Sequence, residues 1–394
     1  MDLATSLAII TVLGLIANNI FKQMKLPGLL GMLLLGMLLG PYGMDWLSED
    51  MLHVSSDFRN IALIIILLRA GLGISRDDIN KIGKTAIKLS IIPGLLEGFF
   101  IAFLSTQFLG FSFIEGGILG FVIAAVSPAV IVPSMLRFIE SGIGSKKRIP
   151  TLILASSSVD DVIAITIFST FLGLYGGENY NIGYQIIGIP LSIILGVIIG
   201  IIVGSLFIYI FNKYHIRDTK KILLMLGIAI LITALEKVLK SKVEIAGLLS
   251  VMTIGFIFLE KKPKTAKRLA DKFNKIWVFA EILLFVLVGA EVNLHVAFDS
   301  GLMGLVIVFG GLLARSIGVL ISTIGKEYNI KEKMFMIIAF LPKATVQAAI
   351  GAKALNAGVI SGDIILAIAV LSILITAPLG AIGINLTAKR FLDN

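Results

Sequence analysis

The sequence contains no cysteine, only three histidines and few charged residues, which make up 15% of its 394 positions. Without a thiol there is no disulfide framework, no cysteine nucleophile and no thiolate-held haem or iron–sulfur cluster, and three histidines argue against a zinc site. The GxxxxGK[ST] motif of ATP-driven proteins is also missing. We therefore expect no cofactor and no enzymatic activity, and any transport would have to be driven by an ion gradient.

Apolar residues dominate the chain, at 57% of the composition with a mean hydropathy of +1.00. Ordinary soluble domains carry about a quarter charged residues, so this composition predicts an integral membrane protein. Stretches of about 20 apolar residues are long enough to cross a bilayer as helices. They predict an all-α polytopic membrane protein with about thirteen transmembrane helices, near residues 3–21, 27–42, 57–74, 86–109, 114–136, 149–174, 182–211, 219–236, 244–259, 274–294, 301–325, 333–355 and 362–387.

The net charge is +9, and the distribution of the basic residues along the chain indicates a membrane topology rather than a nucleic-acid surface. With the N-terminus outside, 26 lysine and arginine residues fall in cytoplasmic segments and four fall outside. This asymmetry follows the positive-inside rule. We therefore expect a multi-pass protein of the cell (plasma) membrane, with the N-terminus outside, the C-terminus cytoplasmic and no nucleic-acid partner.

The two halves of the chain resemble each other. Residues 26–36 align with residues 245–255 at an offset of 219, with four of eleven positions identical, and three further short matches follow in the same order. Repeat one would cover residues 1–175 and repeat two residues 219–394, joined by a linker helix at 182–211. Six spans on each side of one linking span predict two inverted six-helix repeats, an architecture of secondary transporters.

Each repeat carries a proline near the middle of an apolar stretch, Pro128 in the first and Pro342 in the second. Proline removes a backbone N–H and clashes with the preceding turn. Two spans broken at corresponding positions predict half-helix ends that meet at the membrane midplane and form a substrate site. The breaks are flanked by polar residues, namely Ser127, Lys343, Thr345 and Gln347.

Asp160 and Asp161 are adjacent carboxylates in the middle of a predicted span. Neighbours on a helix point about 100 degrees apart, so the two need not have the same role. Burial and a neighbouring like charge both favour the protonated form of a carboxyl group. The pair is thus expected to hold either a proton or a small hard cation. Ser157 and Ser156, one turn earlier, offer hydroxyl oxygens on the same two faces.

Glu97, Arg315 and Lys343 are further charges near the middle of predicted spans. A charge near the bilayer centre costs about 3 kcal/mol on insertion scales, so each requires a reason. We expect Glu97 and Arg315 to form a bridge between the repeats. Lys343 would then neutralise Asp160 and the negative C-terminal end of the half-helix that it follows.

At these residues the sequence resembles the Na+/H+ antiporters of the NHA type, within the second monovalent cation:proton antiporter family. The resemblance rests on five segments, at residues 69–73, 125–135, 158–166, 289–292 and 341–351. It implies an NhaA/NapA-like fold and a homodimer. It also implies a mobile ion-carrying core, approximately residues 86–174 and 301–387, and a dimerisation domain, approximately residues 1–74 and 219–294.

The resemblance further implies that Asp161 is the main site of Na+ and proton exchange, with Asp160 beside it as the partner of a cation, and that Ser127 lines the site. Arg315 stands where bacterial relatives with paired aspartates carry a lysine, and an arginine does not release its proton. We therefore predict a secondary antiporter that exchanges Na+ or Li+ for H+ by alternating access. The alternatives are a K+/H+ antiporter on the same scaffold, an organic-anion:Na+ symporter, and a channel or sensor without transport.

Overall fold

The computed structural model describes residues 2–24, 28–74, 76–175, 182–239, 245–292 and 301–392. This part of the chain is helical and contains no strand. In chain order the helices are α1 (Leu3–Gln23), α2 (Gly28–Leu39), α3 (Glu49–His53), α4 (Ser55–Gly71), α5 (Arg76–Phe108), α6 (Phe113–Ala124), α7 (Pro128–Ser141), α8 (Ile149–Tyr175), α9 (Ile182–Lys213), α10 (Asp218–Leu239), α11 (Gly247–Lys261), α12 (Pro263–Ala290), α13 (Gly301–Ser322), α14 (Ile330–Ala339), α15 (Thr345–Asn356) and α16 (Gly362–Leu392).

Every predicted span coincides with a helix or with a pair of helices, and the predicted all-α membrane fold is confirmed. Seven helices in the described ranges are long and apolar enough to cross a membrane, so the chain is a multi-pass membrane protein. Two helices begin well before their predicted spans, α5 at Arg76 and α12 at Pro263. The extra turns are rich in charge, so hydropathy misses them, although charged residues continue a helix readily.

The helices form two groups that position the site. In the first, α5 packs against α6, α8 and α13, while α16 packs against α14 and α15. In the second, α12 packs against α2 and α4, and α11 packs against α4 and α9. The aspartate pair lies on α8 of the first group, and α4 and α9 also contact helices of that group.

Two helix crossings in the second group are made by glycines. A Cβ on Gly36 of α2 would overlap the Val286 carbonyl of α12, and a Cβ on Gly289 of α12 would overlap the Leu33 carbonyl of α2. The crossing of α4 with α11 is built in the same way, because Gly71 and Gly255 abut each other's backbone. Small residues let membrane helices approach closely where apolar side chains add no hydrophobic drive.

We expect Gly289→Ala to lower stability, by about 1–3 kcal/mol, because the added methyl meets backbone that has no room to move. Gly227→Ala on α10 is the matched control, since a Cβ there meets open space, and alanine favours a helix by about 1 kcal/mol. Denaturant unfolding in detergent micelles measures both variants. Equal stability of the two would contradict the close approach of α2 and α12.

Candidate functional site

The two proline-containing spans are broken, and their breaks lie against each other. The first break separates α6 from α7, and the second separates α14 from α15. The Ser127 backbone N–H donates to the Pro342 carbonyl at 2.8 Å, which joins the two breaks directly. Pro128 occupies the first turn of α7, where a missing N–H costs nothing. The breaks therefore leave the carboxyl end of α6 and the amino end of α7 at one place.

The carboxyl end of α6 is capped by side chains from the second half of the chain. The Ala124 carbonyl accepts from Arg315 Nη2 at 2.7 Å and from Lys343 Nζ at 3.3 Å. The amide nitrogen of Gln347 lies within 3.2 Å of three more carbonyls, those of Val122, Ile123 and Ala125. The last carbonyls of a helix have no partner within it and carry partial negative charge. Two cations and an amide therefore suit this end.

Four buried charged side chains form one network next to the breaks, namely Glu97, Asp160, Arg315 and Lys343. Arg315 Nη2 donates to Asp160 Oδ2 at 2.8 Å, and Arg315 Nε lies 2.9 Å from Glu97 Oε2. Lys343 Nζ donates to the same Glu97 oxygen at 2.7 Å. Each of the four side chains is at most 1% exposed. Their ionised charges cancel, since two cations face two carboxylates, which is the condition under which buried charges are tolerated.

The predicted contact between Glu97 and Arg315 is present, but the predicted role of Lys343 differs from the structure. Lys343 contacts Glu97 and caps α6, whereas Arg315 is the cation that the described structure places within ion-pair distance of Asp160. The guanidinium group makes this possible because its five donors fan out in one plane. Arg315 thereby contacts two carboxylates and a carbonyl at once, so Asp160 is neutralised without a contact from Lys343.

Asp160 and Asp161 have different surroundings, as their separation around α8 predicts. Asp160 is 1% exposed and also accepts from the Val126 backbone N–H at 3.2 Å. Asp161 is 7% exposed and its buried Oδ1 has no hydrogen-bond partner. Asp161 lies outside the balanced network, so its ionised form would add one uncompensated negative charge. A proton or a monovalent cation restores neutrality there.

The predicted hydroxyl ligands, Ser127, Ser157 and Ser156, are all buried. Ser127 Oγ is buried and has no hydrogen-bond partner. Ser157 Oγ donates to the Leu154 carbonyl at 3.1 Å and Ser156 Oγ donates to the Leu152 carbonyl at 2.7 Å. A hydroxyl that donates once keeps its lone pairs for accepting, so these oxygens can still face a cation.

Asp161 lines a cavity of about 120 Å³ between the two groups of helices. This volume accommodates several water molecules. Most of the lining residues are apolar. The polar lining residues on α8 and α9 are Asp161, Thr166, Ser169 and Ser192. Glu236 of α10 also lines the cavity. Sequence reasoning did not single out Glu236, because an acidic residue at the end of an apolar stretch has nothing local to distinguish it from an ordinary interfacial one.

The profile of the family described as "Sodium/hydrogen exchanger, transmembrane" matches residues 7–390 of this chain. The chain belongs to that family. The exchanger is 38% identical to sodium/hydrogen exchanger 9B2 of Mus musculus over 93% of this chain and 69% of the relative. It is 36% identical to the Homo sapiens protein of the same name, over 93% of this chain and 70% of the relative.

Among solved structures, the exchanger resembles the sodium proton antiporter MjNhaP1 from Methanocaldococcus jannaschii, determined at pH 8. The TM-score is 0.81 with 22% sequence identity, and the alignment covers the whole of both chains. This likeness supports the fold, and family membership supports the function. The chain is an antiporter of sodium ions and protons across a membrane, as predicted, and the comparisons favour none of the alternatives.

Proposed function

We propose that the exchanger carries Na+ or Li+ in one direction and H+ in the other through a single carboxylate, Asp161. The observation that supports this is the charge balance of the buried network. Glu97 and Asp160 are neutralised by Arg315 and Lys343, and Asp161 is left beside them with a buried oxygen that has no partner. Its charge must be compensated from outside the protein.

The chemistry of the exchange follows from this arrangement. A proton on Asp161 and a cation beside Asp161 both satisfy the same charge, so loading one displaces the other. Na+ and Li+ are hard cations that prefer oxygen ligands, and Asp161, Asp160, Ser127 and Ser157 with cavity water would supply them. Alternating access would present this site to the two sides of the membrane in turn, with the first group of helices, which contains α8, moving against the second group, which contains α12.

We further propose the NHA-type organisation, with two inverted six-helix repeats and about thirteen spans. The glycine crossings support it, because the repeat alignment exchanges Gly36 with Gly255 and the two crossings, α2 with α12 and α4 with α11, then map onto each other. The mobile core would cover approximately residues 86–174 and 301–387, and the dimerisation domain approximately residues 1–74 and 219–294 of a homodimer.

The proposed topology places the N-terminus outside and the C-terminus in the cytoplasm of a plasma membrane. The ends of the helices support it, since Lys213 of α9 and Lys261 of α11 each lie in the last turn of their helix. We propose a transport cycle without a cofactor and without covalent chemistry, because ion exchange at a carboxylate requires neither.

Competition at one carboxylate predicts how the apparent KM for Na+ depends on pH. On the acidic side of the transport range the KM should rise by up to about tenfold for each unit of pH decrease, because one proton must leave before one cation binds. Proteoliposomes with a pH-sensitive dye would measure this for Na+, Li+ and K+. A KM for Na+ that is independent of pH, or a response to K+ alone, would contradict the proposal.

A further inference from the structure

The peptide unit between Pro342 and Lys343, in the second break, is held at both ends by other parts of the chain. Its carbonyl accepts from the Ser127 N–H of the first break at 2.8 Å. Its N–H donates to Oγ1 of Thr376 on α16 at 2.9 Å. Because a peptide unit is planar, these two hydrogen bonds together set the orientation of the whole unit.

Thr376 is suited to hold this peptide unit because its own hydroxyl is fixed. The side chain is 1% exposed, and Oγ1 donates to the Ser372 carbonyl one turn earlier at 2.7 Å. With the hydroxyl hydrogen used in this way, a lone pair remains to accept from the Lys343 N–H. Gly380, one turn later on α16, lies against the ring of Pro342, since a Cβ there would overlap the ring. The peptide unit therefore packs on one face of α16.

The first break contains a peptide unit that is held in the corresponding way. The Ala125 carbonyl accepts from the Gln347 amide at 2.7 Å, and the Val126 N–H donates to Asp160 of α8 at 3.2 Å. In the proposed repeats α8 and α16 are the two sixth spans, so Thr376 has the role on α16 that Asp160 has on α8. Asp160 is a carboxylate, whereas the threonine hydroxyl is neutral. The second break is thus held by a contact whose charge stays constant during ion exchange.

We propose that Thr376 is a positioning residue for cation binding, which acts on Ser127 through the peptide unit of the second break. This inference rests on the proposed function, in which the Ser127 hydroxyl is a ligand of the transported cation. Ser127 Oγ is buried and has no hydrogen-bond partner within the described ranges, so the backbone of Ser127 determines where this oxygen lies. Partners outside the ligand shell orient the ligands of a bound cation, whereas a proton on Asp161 requires no such ligand.

The test compares the KM values for Na+ and Li+ of wild type, Thr376→Val and Thr376→Ser in proteoliposomes over a range of pH. Valine keeps the shape of threonine without the hydroxyl, so the KM at alkaline pH, where proton competition is weakest, should rise about three- to tenfold, as expected for one lost hydrogen bond. The maximal rate and the pH below which the KM increases should stay unchanged, because Asp161 is not altered. Serine keeps the hydroxyl and should restore the KM of wild type.

Two further variants separate this contact from general effects on α16. Ser372→Ala removes another buried hydroxyl of the same helix, one that donates to the Ala369 carbonyl of α16 at 2.7 Å, and should leave the KM unchanged. Gly380→Ala displaces the ring of Pro342 without removing a hydrogen-bonding group, and should raise the KM as Thr376→Val does.

Hydrogen exchange measured by mass spectrometry tests the positioning of Ser127 without transport. The backbone N–H of Ser127 donates to the peptide unit that Thr376 holds, so peptides containing Ser127 should exchange faster in Thr376→Val than in wild type. In Ser372→Ala they should exchange at the rate of wild type.

An unchanged KM or an unchanged exchange rate at Ser127 in Thr376→Val would overturn the positioning role, as would a rise in KM that Thr376→Ser shares or that Ser372→Ala reproduces. None of these results concerns the exchange at Asp161, which is tested by its own substitution. If Thr376→Val does not fold, the KM of Gly380→Ala decides the question, and an unchanged value there overturns the role.

Discussion

Replacing Asp161 with asparagine is expected to abolish sodium- and lithium-driven proton movement, down to the level of vesicles that lack the protein. Asparagine keeps the size and shape of the side chain but holds neither a labile proton nor a negative charge. The cavity and the network of Glu97, Arg315 and Lys343 would stay intact, so the loss would come from the exchange step itself. Everted membrane vesicles with a pH-sensitive dye provide the measurement.

Asp160→Asn makes the same chemical change one position away and serves as the comparison for stability, which separates a loss of exchange from a loss of folding. Asp160 Oδ2 accepts from Arg315 and from the Val126 N–H, so its neutralisation should lower the free energy of unfolding by about 1.5–3 kcal/mol. Asp161 Oδ1 has no such partner, and Asp161→Asn should not be destabilised. Full transport in Asp161→Asn would remove this residue from the mechanism.

The largest expected loss of stability follows from replacing Arg315 with glutamine. Arg315 is the cation that contacts both Glu97 and Asp160, and it also caps α6 at Ala124. Breaking a buried ion pair by removing one partner costs about 3–5 kcal/mol, because a buried charge is left without compensation. Denaturant unfolding in detergent micelles should show this loss, and Arg315→Lys should fall between wild type and Arg315→Gln, since an ammonium group lacks the planar fork.

A double-mutant cycle separates the ion pair from the packing of the long side chain. Glu97→Gln alone leaves Lys343 without its carboxylate partner and should also destabilise the protein. In the double variant Glu97→Gln/Arg315→Gln the cost should be smaller than the sum of the single costs, by at least about 1 kcal/mol, because both ends of the pair are then neutral. Strictly additive costs would contradict the bridge between α5 and α13.

The residues of the proposed site were visible in the sequence because each violates a local expectation. Pro128 and Pro342 interrupt apolar stretches, and Asp160, Asp161 and Arg315 are charges where a bilayer disfavours them. Such conflicts are detectable from hydropathy and residue type without knowing which segments touch. The pairing of these residues is a different matter, because the alternatives differ only in which side chain reaches which oxygen.

Lys343 illustrates the limit. From the sequence, Asp160 and Glu97 are both carboxylates within predicted spans of the first half, and Lys343 of the second half could approach either. The sequence favoured Asp160 as the partner. In the structure Lys343 contacts Glu97, while the planar guanidinium group of Arg315 contacts both Asp160 and Glu97. Glu236 was missed for the related reason that only the folded chain brings it to the cavity that Asp161 also lines.

The sequence alone determined that this chain is an all-helical membrane protein with two broken spans and an acidic pair, since hydropathy, helix breaking and the helical periodicity act over a few residues. The antiporter function was implied by its resemblance to a known family. Only the tertiary structure decided which aspartate is compensated within the protein and which has a buried oxygen without a hydrogen-bond partner. That decision depends on distances between side chains from α5, α8, α13 and the second break, which are far apart in the chain and come together only on packing.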